Sequence, residues 1–152
     1  MTNGIPEGYE TITPYLSVHD GAAAIEFYKN AFGAKEIMRM PGEGGKGVGH
    51  ADLLLFDRMH VMLADEHPAI GFRGPRTLGG SPVLLHIYVE DVDAAVAKAV
   101  AAGAKLVREV ADQFYGDRTG AIEDPFGHSW YFATQKEVLT PEDMAKRMPK
   151  NG

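Results

Sequence analysis

The first half of this chain is echoed in its second, and that repetition constrains the fold more than any other feature. Residues 15–35 read YLSVHDGAAAIEFYKNAFGAK, and residues 86–105 read HIYVEDVDAAVAKAVAAGAK. Val18 matches Val89, Asp20 matches Asp91, Ala23 and Ala24 match Ala94 and Ala95, and Gly33-Ala34-Lys35 match Gly103-Ala104-Lys105, with one residue lost between. Two copies of one strand–helix unit imply a pseudo-symmetric fold with a site between the halves.

Within the first copy, residues 13–18 read as a strand and Asp20 as the cap of a helix. Ile25, Tyr28 and Phe32 make one buried stripe, and Gly33 stops the helix. Residues 35–40 are an expected strand and 41–47 a flexible turn. Residues 48–56 and 59–64 form a hairpin turning at Asp57-Arg58. The second copy repeats this with a strand at 83–89, a helix capped by Asp91, and strands near 104–110, 113–122 and 128–133. Residues 65–82 carry too many Gly and Pro for a regular element and read as a linker. Thr140-Pro141-Glu142-Asp143 is a helix start, with Lys146 and Arg147 suited to its C-terminal end. The organisation expected is a flexible arm (1–10), a first βαβββ module (11–64), the linker (65–82), a second module (83–134), and a C-terminal helix and tail (135–152). The fold class is α+β: two tandem modules forming a curved, cupped mixed sheet with helices on the outer face.

The chain has 152 residues with 15 Lys and Arg against 21 Asp and Glu, a net charge of −6. That balance disfavours nucleic acid as a partner, because phosphate binding needs clustered cations. The absence of cysteine excludes disulfides, thiolate catalysis and thiolate zinc sites. No apolar run approaches the ~20 residues of a membrane span. MTNGIPEGYE shows no basic stretch before an apolar run, so a cytoplasmic protein is expected. The GEGGKG run lacks the Ser or Thr that follows the lysine of a P-loop, and reads as a hairpin loop beside the site.

The β-α-β-β-β duplication, the DPFGHSW turn (124–130) and the VEDVDAA…AGAK segment resemble the vicinal oxygen chelate superfamily, the group of glyoxalases, bleomycin-resistance proteins and extradiol dioxygenases. The ending FATQKEVLTPEDMAKR (132–147) resembles its PhnB-like subgroup. The resemblance implies a cupped site for a small molecule, a homodimer, and one divalent ion (Zn, Mn, Ni or Fe) held by side chains from four strands. The corresponding positions here are Thr13, Asp52, Leu84 or the neighbouring His86, and Tyr131; two of the four depart from the usual ligands.

Three functions follow as expectations. A binding protein would line its cup with Tyr15, Tyr88, Tyr131 and Phe114 and take an aromatic or amphipathic molecule, with Arg118 free to fork a carboxylate or phosphonate. A metal-dependent lyase or dioxygenase would draw on His50, Asp52 and His86, two imidazoles and a carboxylate. The alternative for the first two is an Asp–His hydrogen bond without metal. A metal-free isomerase would use His86 and Tyr131 as base and acid. Whether the chain is an enzyme is open at this level. His19, His60, His67 and His128 carry no expected catalytic role.

Overall fold

The computed structural model describes residues 2–150; Met1 of the expected arm and residues 151–152 of the tail lie outside the described residues. Eight strands hydrogen-bond into two mixed sheets of four, one per module, rather than one sheet of eight. In the first module β1 (Tyr15–Val18), α1 (Gly21–Phe32), β2 (Lys35–Pro41), β3 (Val48–Leu55) and β4 (Met59–Asp65) give the spatial order β1-β4-β3-β2. A 3₁₀ turn at Pro68–Ile70 and a one-turn helix α2 (Pro75–Leu78) follow, so the Gly/Pro-rich stretch expected to be irregular holds two short helical pieces. Each is opened by proline and closed by a glycine at positive φ, Gly71 and Gly79. In the second module β5 (Leu84–Tyr88), α3 (Val92–Ala101), β6 (Lys105–Asp112), β7 (Asp117–Glu123) and β8 (Ser129–Gln135) repeat the order as β5-β8-β7-β6. Helix α4 (Pro141–Arg147) closes the chain with a Thr140–Asp143 capping box.

In both sheets the first strand pairs in parallel with the last: Tyr15 with Met62, and His86 with Tyr131. A parallel pair cannot be joined by a tight turn, so the crossover helix, α1 or α3, covers one face of its own sheet and leaves the other, the helix-free face, without it. On the covered face of the first module, Val18, Ile25, Tyr28, Phe32, Leu53, Leu55, Val61 and Leu63 are buried. Ile87, Val92, Val96, Ile122, Trp130 and Phe132 do the same in the second.

Each helix N-terminus is held twice. The N-cap carboxylates of Asp20 and Asp91 accept from Ala23 and Ala94 N–H, both at 3.0 Å. A side chain at the end of the partner strand holds the first helical N–H: Asp65 accepts from Gly21, and Thr134 Oγ1 accepts from Val92 at 2.9 Å. Asp65 also accepts from Val48 N–H at 2.8 Å, while Thr134 donates to Val89 C=O at 2.9 Å. Asp65 and Thr134 are equivalent positions, although neither their types nor their sequence contexts match.

The described residues fall into two compact units, one of residues 2–81 with Pro125–Gly127, the other of Pro82–Asp124 with residues 128–150. In the first unit Phe126 packs against Phe27 and Tyr28, with centroids 6.2 and 6.3 Å apart. In the second, Asp124 accepts from His128 N–H at 3.0 Å and from the buried Trp130 indole at 2.8 Å. The DPFG aspartate is thus a structural acceptor, and Trp130 is core rather than ligand surface. The strand expected from 113 begins instead at Asp117. Gly116 has φ +97°, and a Cβ there would sit 2.8 Å from Glu137 C=O, so residues 113–116 form a turn.

Asp65→Ala strands two backbone N–H groups, and we expect it to destabilise the fold by about 1–3 kcal/mol. Thr134→Val removes the equivalent hydroxyl and is expected to cost about 1 kcal/mol. Urea unfolding followed by circular dichroism measures both.

Candidate functional site

Strand alternation decides which side chains reach the helix-free faces. In the first module Tyr15, His50, Asp52, His60 and Met62 share that face, because Tyr15 and Asp52 both register with Met62, and His60 with Leu54. Tyr15 O–H lies 2.7 Å from His50 Nδ1, and its ring meets Phe72 edge-on at 5.7 Å. Asp52 is buried, and both its oxygens are engaged: Oδ2 accepts from the Tyr9 hydroxyl, and Oδ1 lies 2.8 Å from His60 Nδ1. The Asp–His hydrogen bond anticipated as the metal-free alternative therefore exists, but its histidine is His60, not His50. His60 lies on β4, within the strand expected at 59–64, which places its ring beside Asp52. Tyr9 stacks on His60 with centroids 3.8 Å apart and planes 21° apart. Tyr9 stands in the arm that the sequence marks only as loose; no periodicity links a residue there to Asp52.

In the second module His86, Tyr88 and Tyr131 meet on the helix-free face. The His86 ring lies 4.9 Å from Tyr88 and 5.2 Å from Tyr131. Tyr131 O–H donates to the buried Thr119 hydroxyl at 2.9 Å and lies 3.3 Å from Tyr115 O–H. The Arg108 guanidinium sits 5.9 Å from the Tyr131 ring centroid. Leu84, His86, Tyr88, Tyr115, Tyr131 and Met144 border a cavity of about 500 Å³. Phe114 meets Tyr115 edge-on at 5.2 Å.

The cation of this cluster is Arg108, not the expected Arg118. Arg118 registers with Thr134, whose hydroxyl serves α3, so both point to the helix side. There Asp93 closes the Arg118 fork at 2.8 and 3.0 Å, and Asp112 adds a contact at 3.1 Å. Arg108 registers with Ala121, which registers with Tyr131, and so shares the helix-free face. Arg118 shares its face with the buried Ile122 four residues on, and that alternation could have separated the two arginines in the sequence.

The phenols are electrostatically split. Burial, with the hydrogen bond to Tyr131, pushes Tyr115 up to about 12. Burial alone would also raise Tyr131, but its hydrogen bonding with Thr119, Tyr115 and Arg108, together with the Arg108 charge, outweighs it, and its value falls below that of an ordinary tyrosine.

The expected loops at 41–47 and 71–82 also found a cavity. Lys46, Val48, Asp65, Glu66, Ile70 and Phe72 border about 550 Å³ in the first module.

The metal implied by the resemblance does not fit the residues as they stand. Asp52 spends one oxygen on Tyr9 and the other on His60, and the His50 Nδ1 is paired with Tyr15. Among the described residues no three His, Asp or Glu side chains converge as a metal-holding group. Thr13 and Tyr131 offer hydroxyls only, weak donors for a divalent ion.

Tyrosinate absorbance during alkaline titration tests the phenol pair. We expect Tyr131 to ionise below the usual tyrosine range and Tyr115 near 12. Tyr115 is raised above its unfolded value of about 10, so the native state holds its proton more tightly. Its contribution to stability is complete below about pH 10 and is lost as the pH rises through about 12. Tyr115→Phe is expected to remove the late ionisation and flatten the loss of stability in that window.

Comparison with known proteins agrees with these strand positions. A family model for the glyoxalase/bleomycin resistance protein/dioxygenase superfamily matches residues 11–132. An uncharacterized protein of Mycobacterium bovis is 40% identical over 144 residues, covering 93% of both chains. Among solved structures, TioX from Micromonospora sp. ML1 superposes with TM-score 0.66 at 26% identity, covering 83% of this chain and 98% of TioX. The PhnB protein from Bacillus cereus shares the fold, with TM-score 0.61 at 19% identity over 82% of this chain and 99% of its own. The duplicated modules, the family match and the relatives agree, and the chain belongs to the glyoxalase/bleomycin resistance protein/dioxygenase superfamily.

Proposed function

We propose that this protein binds a small, planar aromatic or amphipathic molecule, and that the helix-free face of the second module supplies the contact surface. The observation that carries this reading is the convergence of His86, Tyr88, Tyr115 and Tyr131 on a cavity of about 500 Å³. Tyr88 is 64% exposed and Leu84 is 54% exposed, so apolar and aromatic surface stands ready for a ligand to cover. Aromatic contacts of this kind contribute about 0.5–1.5 kcal/mol beyond simple burial. The Tyr115 and Tyr131 hydroxyls, with Asp117, Gln135 and Glu137, supply the polar groups bordering the cavity, which favours a ligand with a carbonyl or hydroxyl at its rim.

A second reading is favoured by the split phenols: a metal-free proton-transfer site in which His86 and the acidified Tyr131 exchange a proton with a bound substrate. It predicts turnover insensitive to chelators. The metal-dependent alternative built on His50, Asp52 and His86 requires Asp52 to leave both Tyr9 and His60. Stoichiometric Mn(II) or Zn(II) binding that Asp52→Asn abolishes would favour it over the binding reading. A second copy of the chain is the partner this reading assigns, and light scattering measures that assembly.

Fluorescence titration of the sole tryptophan, Trp130, with a panel of planar aromatic acids and phenols tests the main reading. Trp130 adjoins Tyr131 in β8. His86→Ala and Tyr88→Ala are each expected to weaken binding about tenfold, near 1.4 kcal/mol. Unchanged affinity in both variants would remove the second-module face from the proposal.

A further inference from the structure

We propose that Asp52 and His60, on the helix-free face of the first module, form a receptor for a neutral phenol, and that Tyr9 of the N-terminal arm is its built-in occupant, gating the site. The geometry around Tyr9 is that of a bound ligand rather than of a core residue. Its ring lies flat on His60, 3.8 Å away at 21°, and its hydroxyl donates to Asp52 Oδ2. The Asp52 and His60 side chains are only 3% and 11% exposed, and Asp52 Oδ1 is held by His60 Nδ1 at 2.8 Å. One carboxylate oxygen is thereby fixed and buried, and the other is left for a hydroxyl donor. A buried carboxylate left unpaired is costly, so the site demands a donor and repels an anion. The Tyr9 phenol is accordingly held above its ordinary value, chiefly by the hydrogen bond to Asp52 and then by burial.

The arm is built to let go. Its other hydrogen bonds run within itself: Tyr9 N–H to Pro6 C=O at 3.2 Å, and Ile5 N–H to Asn3 Oδ1 at 3.1 Å. Gly4 and Gly8 both have positive φ, +92° and +85°, on either side of Pro6, which makes a segment of turns rather than of strand. Beside it, Ile5, Pro6, Thr13, Met38, His50 and Met62 border about 430 Å³ of open space through which a small aromatic can approach.

Exchange of Tyr9 for an external phenol conserves the interactions: one ring stack and one hydroxyl–carboxylate bond are replaced in kind. The tethered phenol competes at an effective concentration on the order of millimolar. The parent protein should therefore bind an external phenol more weakly than a variant lacking the plug. This site is built from first-module residues and the arm alone, so the proposal does not rest on the second-module reading.

Isothermal titration with 4-methylphenol tests the proposal, with toluene and 4-methylbenzoate as controls for the hydroxyl and the charge. Tyr9→Ala is expected to bind 4-methylphenol at least tenfold more tightly than the parent. Adding Asp52→Asn, or replacing the ligand by toluene or 4-methylbenzoate, is expected to reverse that gain. In the unaltered protein, saturating 4-methylphenol is expected to accelerate amide exchange across residues 2–10, a measurement that needs no variant to fold. Equal affinity of parent and Tyr9→Ala, equal binding of toluene, or arm exchange unchanged at saturation would each overturn it.

Discussion

The structure depends on how each module fastens the start of its helix to the end of its last strand. Asp65 takes the Gly21 and Val48 N–H groups, and Thr134 bridges Val92 N–H and Val89 C=O. These groups sit where the parallel pair β1–β4 or β5–β8 ends and the helix departs. Unfastened, the first-turn N–H groups would be buried without acceptors. Fastened, the helix is aimed across one face of its sheet, and the opposite face is released from core duty. Every functional feature described above lies on that released face or beside it.

The two released faces have diverged in chemistry while keeping one geometry. Tyr15 and His86 occupy equivalent positions, as do Met62 and Tyr131. In the first module a carboxylate–imidazole pair receives a phenol from the chain's own arm. In the second, an imidazole and three phenols border a cavity together with Asp117 and Glu137. The first face thus turns on one buried carboxylate, and the second on a cluster of rings. Duplication supplied two identical platforms, and substitution at a few strand positions set what each would hold.

Family membership sets the fold and leaves the chemistry to these substitutions. The four positions that the resemblance marks for metal ligands are here Thr13, the doubly bonded Asp52, Leu84 with His86 two residues on, and Tyr131.

Much of the architecture was legible from the chain alone. The repeat gave two modules, Asp20 and Asp91 marked both helix starts, and the alternation of His86 with Ile87 and of Tyr131 with Trp130 sorted the released face from the core. These are short-range regularities, fixed by backbone periods that any reader of the sequence can apply. What the sequence could not reveal were pairings over long separations: Tyr9 with Asp52, His60 with Asp52, Arg108 with Tyr131, Arg118 with Asp93, and the Asp65–Gly21 latch. Strand register and the path of the arm decide those, and register is set by the whole sheet at once. Successive side chains on a strand point to opposite faces, so which of Arg108 and Arg118 reaches the released face follows from the register of β6 and β7 against β8, and not from either residue's type.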